Sequence, residues 1–322
     1  MTQAGTVLLI GGSGFVGSAV AARLVADGWR VRVATRRVAN ARHLMPLPTL
    51  DVVEANVHDD AALHALTAGV DAVVSLVGVL HSPPGTPYGP AFARAHVDLP
   101  TRLAAACQRA AVRRIVHISA LGADVNGPSE YQRSKAAGEA AIRNARPELA
   151  WTVLRPSVIF GRGDSFLNLF AALARLTPIL PLGGAATRFQ PVWVEDVARV
   201  VAESLHRAEA IGQRYTLAGP KVYTLADLVR YAGALGGRTP TVVPVSEGVA
   251  MIQARLLELA PNPMMSRDNV RSMRVDNVCD GPPLPFGLTP TPLETVAPGY
   301  LRQPLRRRLL ESRRRTPIGG PK

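Results

Sequence analysis

Several residue types are scarce in this chain, and each scarcity excludes something. Two cysteines, Cys107 and Cys279, are too few for a disulfide framework in 322 residues, so a reducing compartment is expected. Aromatic residues reach only 5%, which gives little of the stacking surface that single-stranded nucleic acid needs, and no nucleic-acid partner is expected. No window approaches the ~18 uninterrupted apolar residues of a membrane span. The run Thr6-Val7-Leu8-Leu9-Ile10 comes early, with no basic stretch or cleavage site before it, so a cytoplasmic chain without a secretory signal is expected. Lysine is rarest among the cations: Lys135, Lys221 and Lys322 are three of 37 basic residues. The hydrophobic content of 47% supports a sizeable core and excludes global disorder.

The formal charge is +13, and it is unevenly spread. Residues 302–322 hold eight basic side chains against Glu311, more than half of the excess. This basic tail has three readings: a solvated disordered end, a peripheral contact with anionic lipid at the inner face of the membrane, or a contact with nucleic acid, which no recognition motif or aromatic interleaving supports.

The first 160 residues alternate β-branched runs (6–10, 30–35, 50–54, 70–77, 113–119 and 151–155) with helical stretches such as 17–27 and 98–111. Such alternation predicts an α/β fold, a doubly wound parallel sheet of the Rossmann type with helices on both faces. From Gly161 the pattern weakens and prolines accumulate. Residues 161–300 are therefore expected to form a small C-terminal α/β lobe for substrate, with about 190–220 returning to the core and 301–322 as the tail. The proline-rich stretch His81–Pro90 follows the fourth strand, where a loop would border the ligand crevice.

The segment Gly11-Gly12-Ser13-Gly14-Phe15-Val16-Gly17 lies between the first strand and the first helix. A tight turn, a backbone open to a pyrophosphate and close helix–strand packing each call for glycine, and the helix N-terminus offers free N–H groups to phosphate. About 20 residues on, an NAD site has a carboxylate for the ribose; here Thr35 stands there, followed by Arg36 and Arg37. Two guanidiniums suit a 2′-phosphate, so NADP(H) is expected, with NAD as the alternative and a solvated basic loop as the bland reading. Asn56 and Val57, after the third strand, would meet the adenine.

Tyr131-Gln-Arg-Ser-Lys135 is the most informative short feature. With six tyrosines and three lysines, chance supplies a Tyr-x-x-x-Lys only about 0.06 times in the chain. On a helix the two share a face, and an ammonium beside a phenol would lower its pKa and equip it for proton transfer.

These residues resemble the short-chain dehydrogenase/reductase superfamily, in its extended and atypical, epimerase/dehydratase-like branches, over about residues 1–300. Leu154-Arg-Pro156 with Ile159-Phe-Gly161, and Gln190-Pro-Val-Trp-Val194-Glu-Asp-Val-Ala198, also match that pattern. More narrowly, His117-Ile-Ser119-Ala-Leu-Gly122 and Ala218-Gly-Pro220-Lys-Val-Tyr-Thr-Leu225 are similar to the NAD(P)H-binding accessory subunit of respiratory complex I and its bacterial relatives. The resemblance implies catalytic roles for Tyr131, Lys135 and Ser119. It implies cofactor contacts from Leu76, Val77, Gly78, Lys135, Pro156 and Val158. Ala120 stands where the superfamily usually has an oxygen-orienting Ser or Thr, which puts turnover, but not nucleotide binding, in question. Two functions follow: an oxidoreductase or epimerase-type enzyme on an unidentified small molecule, or a catalytically silent NADP(H)-binding subunit in contact with a respiratory complex.

Other features have bland explanations. Arg162-Gly163-Asp164 matches an adhesion tripeptide but falls in an expected loop, and the scattered histidines give no metal-ligand spacing. Cys107 reads as a small core residue, and 247–259 as an amphipathic helix that packs on its own lobe or meets a partner.

Overall fold

The computed structural model describes residues 5–145, 148–260 and 263–302. Residues 303–322, nearly all of the basic tail, lie outside the described residues. The first half runs β1 (Thr6–Ile10), α1 (Phe15–Ala26), β2 (Arg30–Thr35), β3 (Leu50–Glu54), α2 (Asp60–Thr67) and β4 (Ala72–Ser75). A short α3 (Pro90–Phe92) passes through a wider π-type stretch, Ala93–Asp98, into α4 (Leu99–Arg109). Then come β5 (Arg114–Ile118), α5 (Glu130–Arg143) and β6 (Ala150–Pro156).

The second half is made of shorter pieces: β7 (Ile159–Phe160), α6 (Leu167–Leu176), β8 (Ile179–Gly183), β9 (Arg188–Phe189), β10 (Val192–Trp193) and α7 (Val194–His206). They continue through β11 (Gln213–Leu217), β12 (Tyr223–Thr224), α8 (Leu225–Gly236), β13 (Thr241–Val245), α9 (Glu247–Leu257), α10 (Arg267–Ser272) and α11 (Leu293–Leu301).

Seven strands form one parallel sheet in the order β11-β6-β5-β4-β1-β2-β3. Both faces are covered, so the strands read as continuous apolar runs. In β1, Val7 and Leu9 point to the layer of α1 and α7, where Val197 and Val201 pack, while Leu8 and Ile10 meet Leu63, Leu99 and Leu103 on the other side. Cys107 is buried in that second layer. The strand order reverses between β1 and β4, and a crevice opens there at the strands' carboxyl ends. This is the Rossmann-like α/β architecture.

A separate core joins α6, α8 and α11 through Leu167, Ala171, Leu228, Val229, Ala297 and Leu301. Leu301, assigned from sequence to the start of the tail, is instead the last residue of α11 and fully buried. Asp164 of the Arg-Gly-Asp tripeptide is buried too: it accepts from the Leu167 N–H at 2.7 Å and the Tyr300 hydroxyl at 2.8 Å. Among the described residues no helix is long and apolar enough to cross a membrane.

Candidate functional site

The turn after β1 is built from glycines with different duties. Gly11 has φ +90°, a conformation that side chains rarely adopt. A Cβ on Gly17 would overlap the Gly11 carbonyl oxygen, and one on Gly12 would come within 2.9 Å of Leu9 Cβ. Those three serve the fold. Gly14, at the N-cap of α1, is different: its φ is −78°, and a Cβ there would meet only the Gly11 oxygen, at 3.4 Å. The protein itself does not require glycine at that point, so the bare backbone faces open space at a helix N-terminus that has no side-chain cap and no acidic residue in its first turn. That is the cradle an anionic pyrophosphate fits. Phe15 and Val16 turn away and pack on the first core layer.

At the end of β2 Thr35 is buried, its hydroxyl 3.4 Å from that of Ser13 and donating to the Arg37 carbonyl at 3.1 Å. Arg36 and Arg37 are exposed and take part in none of the ion pairs among the described residues. The carboxylate paired with Thr35 across the sheet, Glu54, accepts instead from the Val38 N–H at 2.8 Å. Burial, then Arg94, Arg102 and Arg36, hold the His58 imidazole below its usual value, against the pull of Asp98. Asn56 is exposed, its side-chain oxygen accepting from the His58 N–H at 3.1 Å; Val57 packs on the second core layer.

After β4 the chain turns across the crevice. Val77 adjoins Gly11, and Leu76 donates its N–H to Ile10. A Cβ on Gly78 would lie 3.9 Å from Lys135 Nζ and 3.8 Å from His96 Nε2. Lys135 is buried and donates to the Ile118 carbonyl at 2.9 Å; burial pulls its pKa down to about 8, with Glu139 opposing. Ser119 follows directly, its N–H continuing the β5–β6 ladder onto the Leu154 carbonyl at 2.7 Å. Alternation puts its side chain on the same face as His117, which feels the Lys135 charge. The Ser119 hydroxyl is buried with no hydrogen-bond partner among the described residues. A buried unpaired hydroxyl is costly, and a ligand group is one way to satisfy it. From β6, the Pro156 carbonyl accepts from the Leu121 N–H at 2.8 Å and the Val158 carbonyl from Val192 at 3.0 Å, closing that side.

Tyr131 sits edge-on to His96 and Phe92, with ring centroids 5.4 and 5.9 Å away. Burial pushes its phenol up to about 12. The spacing of Tyr131 and Lys135 led us to expect the opposite shift. Burial alone accounts for the direction.

Three supporting residues carry no signal in the sequence. His96, in the π-type stretch, accepts from the Val79 N–H at 3.0 Å through Nε2, which assigns its proton to Nδ1 and so the donated bond to Ser134 Oγ at 2.9 Å. Ser134 donates in turn to the Tyr131 carbonyl at 2.8 Å. Asp268 of α10 accepts from the first two N–H groups of α5, Glu130 at 2.7 Å and Tyr131 at 3.0 Å. Glu130 itself accepts from Gly85 and Gly89, tying the His81–Pro90 loop to the same helix end.

Burial first, and Lys135 second, lower His96 to about 2 and His117 to about 3. Both stay neutral when folded yet take up a proton near pH 6.5 when unfolded, so stability present above that pH is lost as pH falls. Between pH 6 and 5 the pair should cost about 2–3 kcal/mol per unit. Urea unfolding across that range checks it, and His96→Gln should remove about half of the slope.

The profile of the NAD dependent epimerase/dehydratase family matches residues 7–218. The chain is 30% identical over 305 residues to the mouse mitochondrial NADH dehydrogenase [ubiquinone] 1 alpha subcomplex subunit 9, covering 92% of this chain and 79% of that protein. It is 32% identical to the ceramide reductase of Caulobacter vibrioides over 74% of this chain and 73% of that one. The fold matches NADPH-dependent quinone oxidoreductase QOR2 of Escherichia coli, solved with NADPH, at TM-score 0.72 and 19% identity, over 92% of this chain and 100% of that one. With a seven-stranded parallel sheet and a glycine turn inside the matched region, the chain belongs to the NAD dependent epimerase/dehydratase family.

Proposed function

We propose that this protein is an NADP(H)-dependent oxidoreductase that reduces a carbonyl group on a small amphiphilic molecule. Residues 1–160 hold the nucleotide, and the 161–300 lobe, apart from the returning segment near 190–220, shapes the substrate side. Gly14 and the first turn of α1 receive the pyrophosphate, Arg36 and Arg37 a 2′-phosphate, Asn56 and Val57 the adenine side. Leu76, Val77, Gly78, Pro156 and Val158 line the nicotinamide side. When bound, the nicotinamide supplies the hydride.

What supports this reading is that Lys135 Nζ donates to the Ile118 carbonyl beside the unpaired Ser119 hydroxyl, while Tyr131, on the same helix as Lys135, packs its ring on His96. A phenol held near 12 is fully protonated at neutral pH, so it suits proton donation to a carbonyl oxygen, the reductive direction. Lys135, mostly protonated below about 8, keeps positive charge next to the oxygen that gains negative charge. Ser119 Oγ is free to donate a hydrogen bond to that same oxygen. The relatives include a reductase named for a lipid, ceramide, which favours an amphiphilic carbonyl compound.

The similarity to a respiratory subunit over 92% of the chain favours a second reading, an NADP(H)-binding accessory subunit without turnover. A nucleotide that binds only the folded chain would then act by stabilising it. In either case the cytoplasm is the proposed compartment. Oxidation of NADPH with short-chain quinones and apolar ketones distinguishes the two: turnover supports the enzyme, and tight binding with no turnover across the panel supports the subunit. For the cofactor, Arg36→Ala should weaken NADPH about tenfold while changing NADH less than about twofold, as calorimetric titration would show. Equal losses would remove the 2′-phosphate assignment.

A further inference from the structure

Helix α9 leaves one face bare. Val249, Ile252 and Leu256 recur at three- and four-residue steps, Leu259 extends the row into the next turn, and the four are 51%, 66%, 65% and 82% exposed. At about 100° per residue the three on the helix form a single stripe, bordered by Arg255, and Leu259 follows in the turn after it. The opposite face is buried, with Ala250 and Ala254 packed against Val270 of α10. The glutamates at the two ends of the helix lie off the stripe and are engaged: Glu247 pairs with Arg274, and Glu258 with Arg267 at 2.8 Å. Exposed apolar residues scattered singly need no explanation, but a contiguous row of four does.

We propose that this stripe is a docking face for an anionic lipid bilayer, with α9 lying in the plane of the interface. Its aliphatic side chains would enter the boundary between headgroups and acyl chains, and Arg255 would meet phosphate. The charge decides the occupant. The chain carries +13, and the stripe's one charge is a cation, so an anionic surface complements it. A second copy would bring +13 against +13 across a narrow row of side chains, so self-association is opposed. Helix α9 packs on α10, whose Asp268 accepts from the first N–H groups of α5, so it stands one helix away from the site. Docking stands without the reductase reading; that a carbonyl compound enters from the bilayer rests on it.

Sedimentation with phosphatidylcholine vesicles, with and without phosphatidylglycerol, tests the docking with no substrate present. The full chain should bind the anionic vesicles at least about tenfold more tightly than the neutral ones. Ile252→Ser, Leu256→Ser and Leu259→Ser combined should weaken that binding at least about tenfold, leaving the melting temperature and NADPH affinity unchanged because the changed side chains are exposed. NADPH titration on the same samples keeps a failure of docking separate from a failure of the nucleotide site. Equal binding by the triple variant would assign the effect to the terminal arginines and overturn the proposal, as would a wild type that ignores both vesicles. Loss of a dimer in light scattering would assign the stripe to a second copy and overturn it equally.

Discussion

Tyr131→Phe is expected to lower carbonyl reduction by about 10²–10⁴-fold while NADPH affinity stays within about twofold. The substitution removes one hydroxyl and keeps the ring against His96 and Phe92, so the site's packing survives. Of the groups beside it, His96 is neutral with Nδ1–H committed to Ser134, and Lys135 already donates to the Ile118 carbonyl. Pre-steady-state NADPH oxidation, with binding measured separately, resolves the two effects. A phenol pushed up to about 12 also sets the pH dependence. Activity should show no loss from phenol ionisation until well above pH 9, and the first alkaline decline should follow Lys135 near about 8. Retained turnover in the phenylalanine variant would remove the proton-donor role of Tyr131.

The second large effect separates two glycines three residues apart. Gly14→Leu should cost the apo protein no more than about 1 kcal/mol, since its backbone is ordinary and its Cβ direction is open, yet abolish measurable dinucleotide binding. Gly17→Leu should instead fail as a fold, because the side chain would overlap the Gly11 and Gly12 backbone in the turn that joins α1 to β1. The expected loss is several kcal/mol, on the scale of core overpacking. Urea unfolding and NADPH titration of both variants should give a folded non-binder and an unfolded chain, respectively.

These contrasts also show what the sequence revealed. The six strands of the first half were legible because both sheet faces are buried, so Val7-Leu8-Leu9-Ile10 reads as one apolar run whichever side each residue faces. The glycine turn was legible because its requirements are local. The two-residue strands β7, β9, β10 and β12 were not, since two residues carry no periodicity. The stretch containing His96 has the composition of an ordinary helix, and nothing in it announces the wider turn that aims the imidazole at Val79. Asp268 reaches the start of α5 from 137 residues away, a pairing no spacing rule detects. The Tyr131 shift went the wrong way for a related reason. Sequence adjacency gives a charge partner, but burial, which decides the sign, comes from other parts of the chain.

The nucleotide content of the purified protein is the most direct measurement of the account. Denaturation followed by mass spectrometry, with titration of the stripped chain, should show one NADP(H) bound per wild-type chain and none bound to Gly14→Leu. A wild-type chain that carries no dinucleotide, and takes up neither NADPH nor NADH on titration, would contradict it.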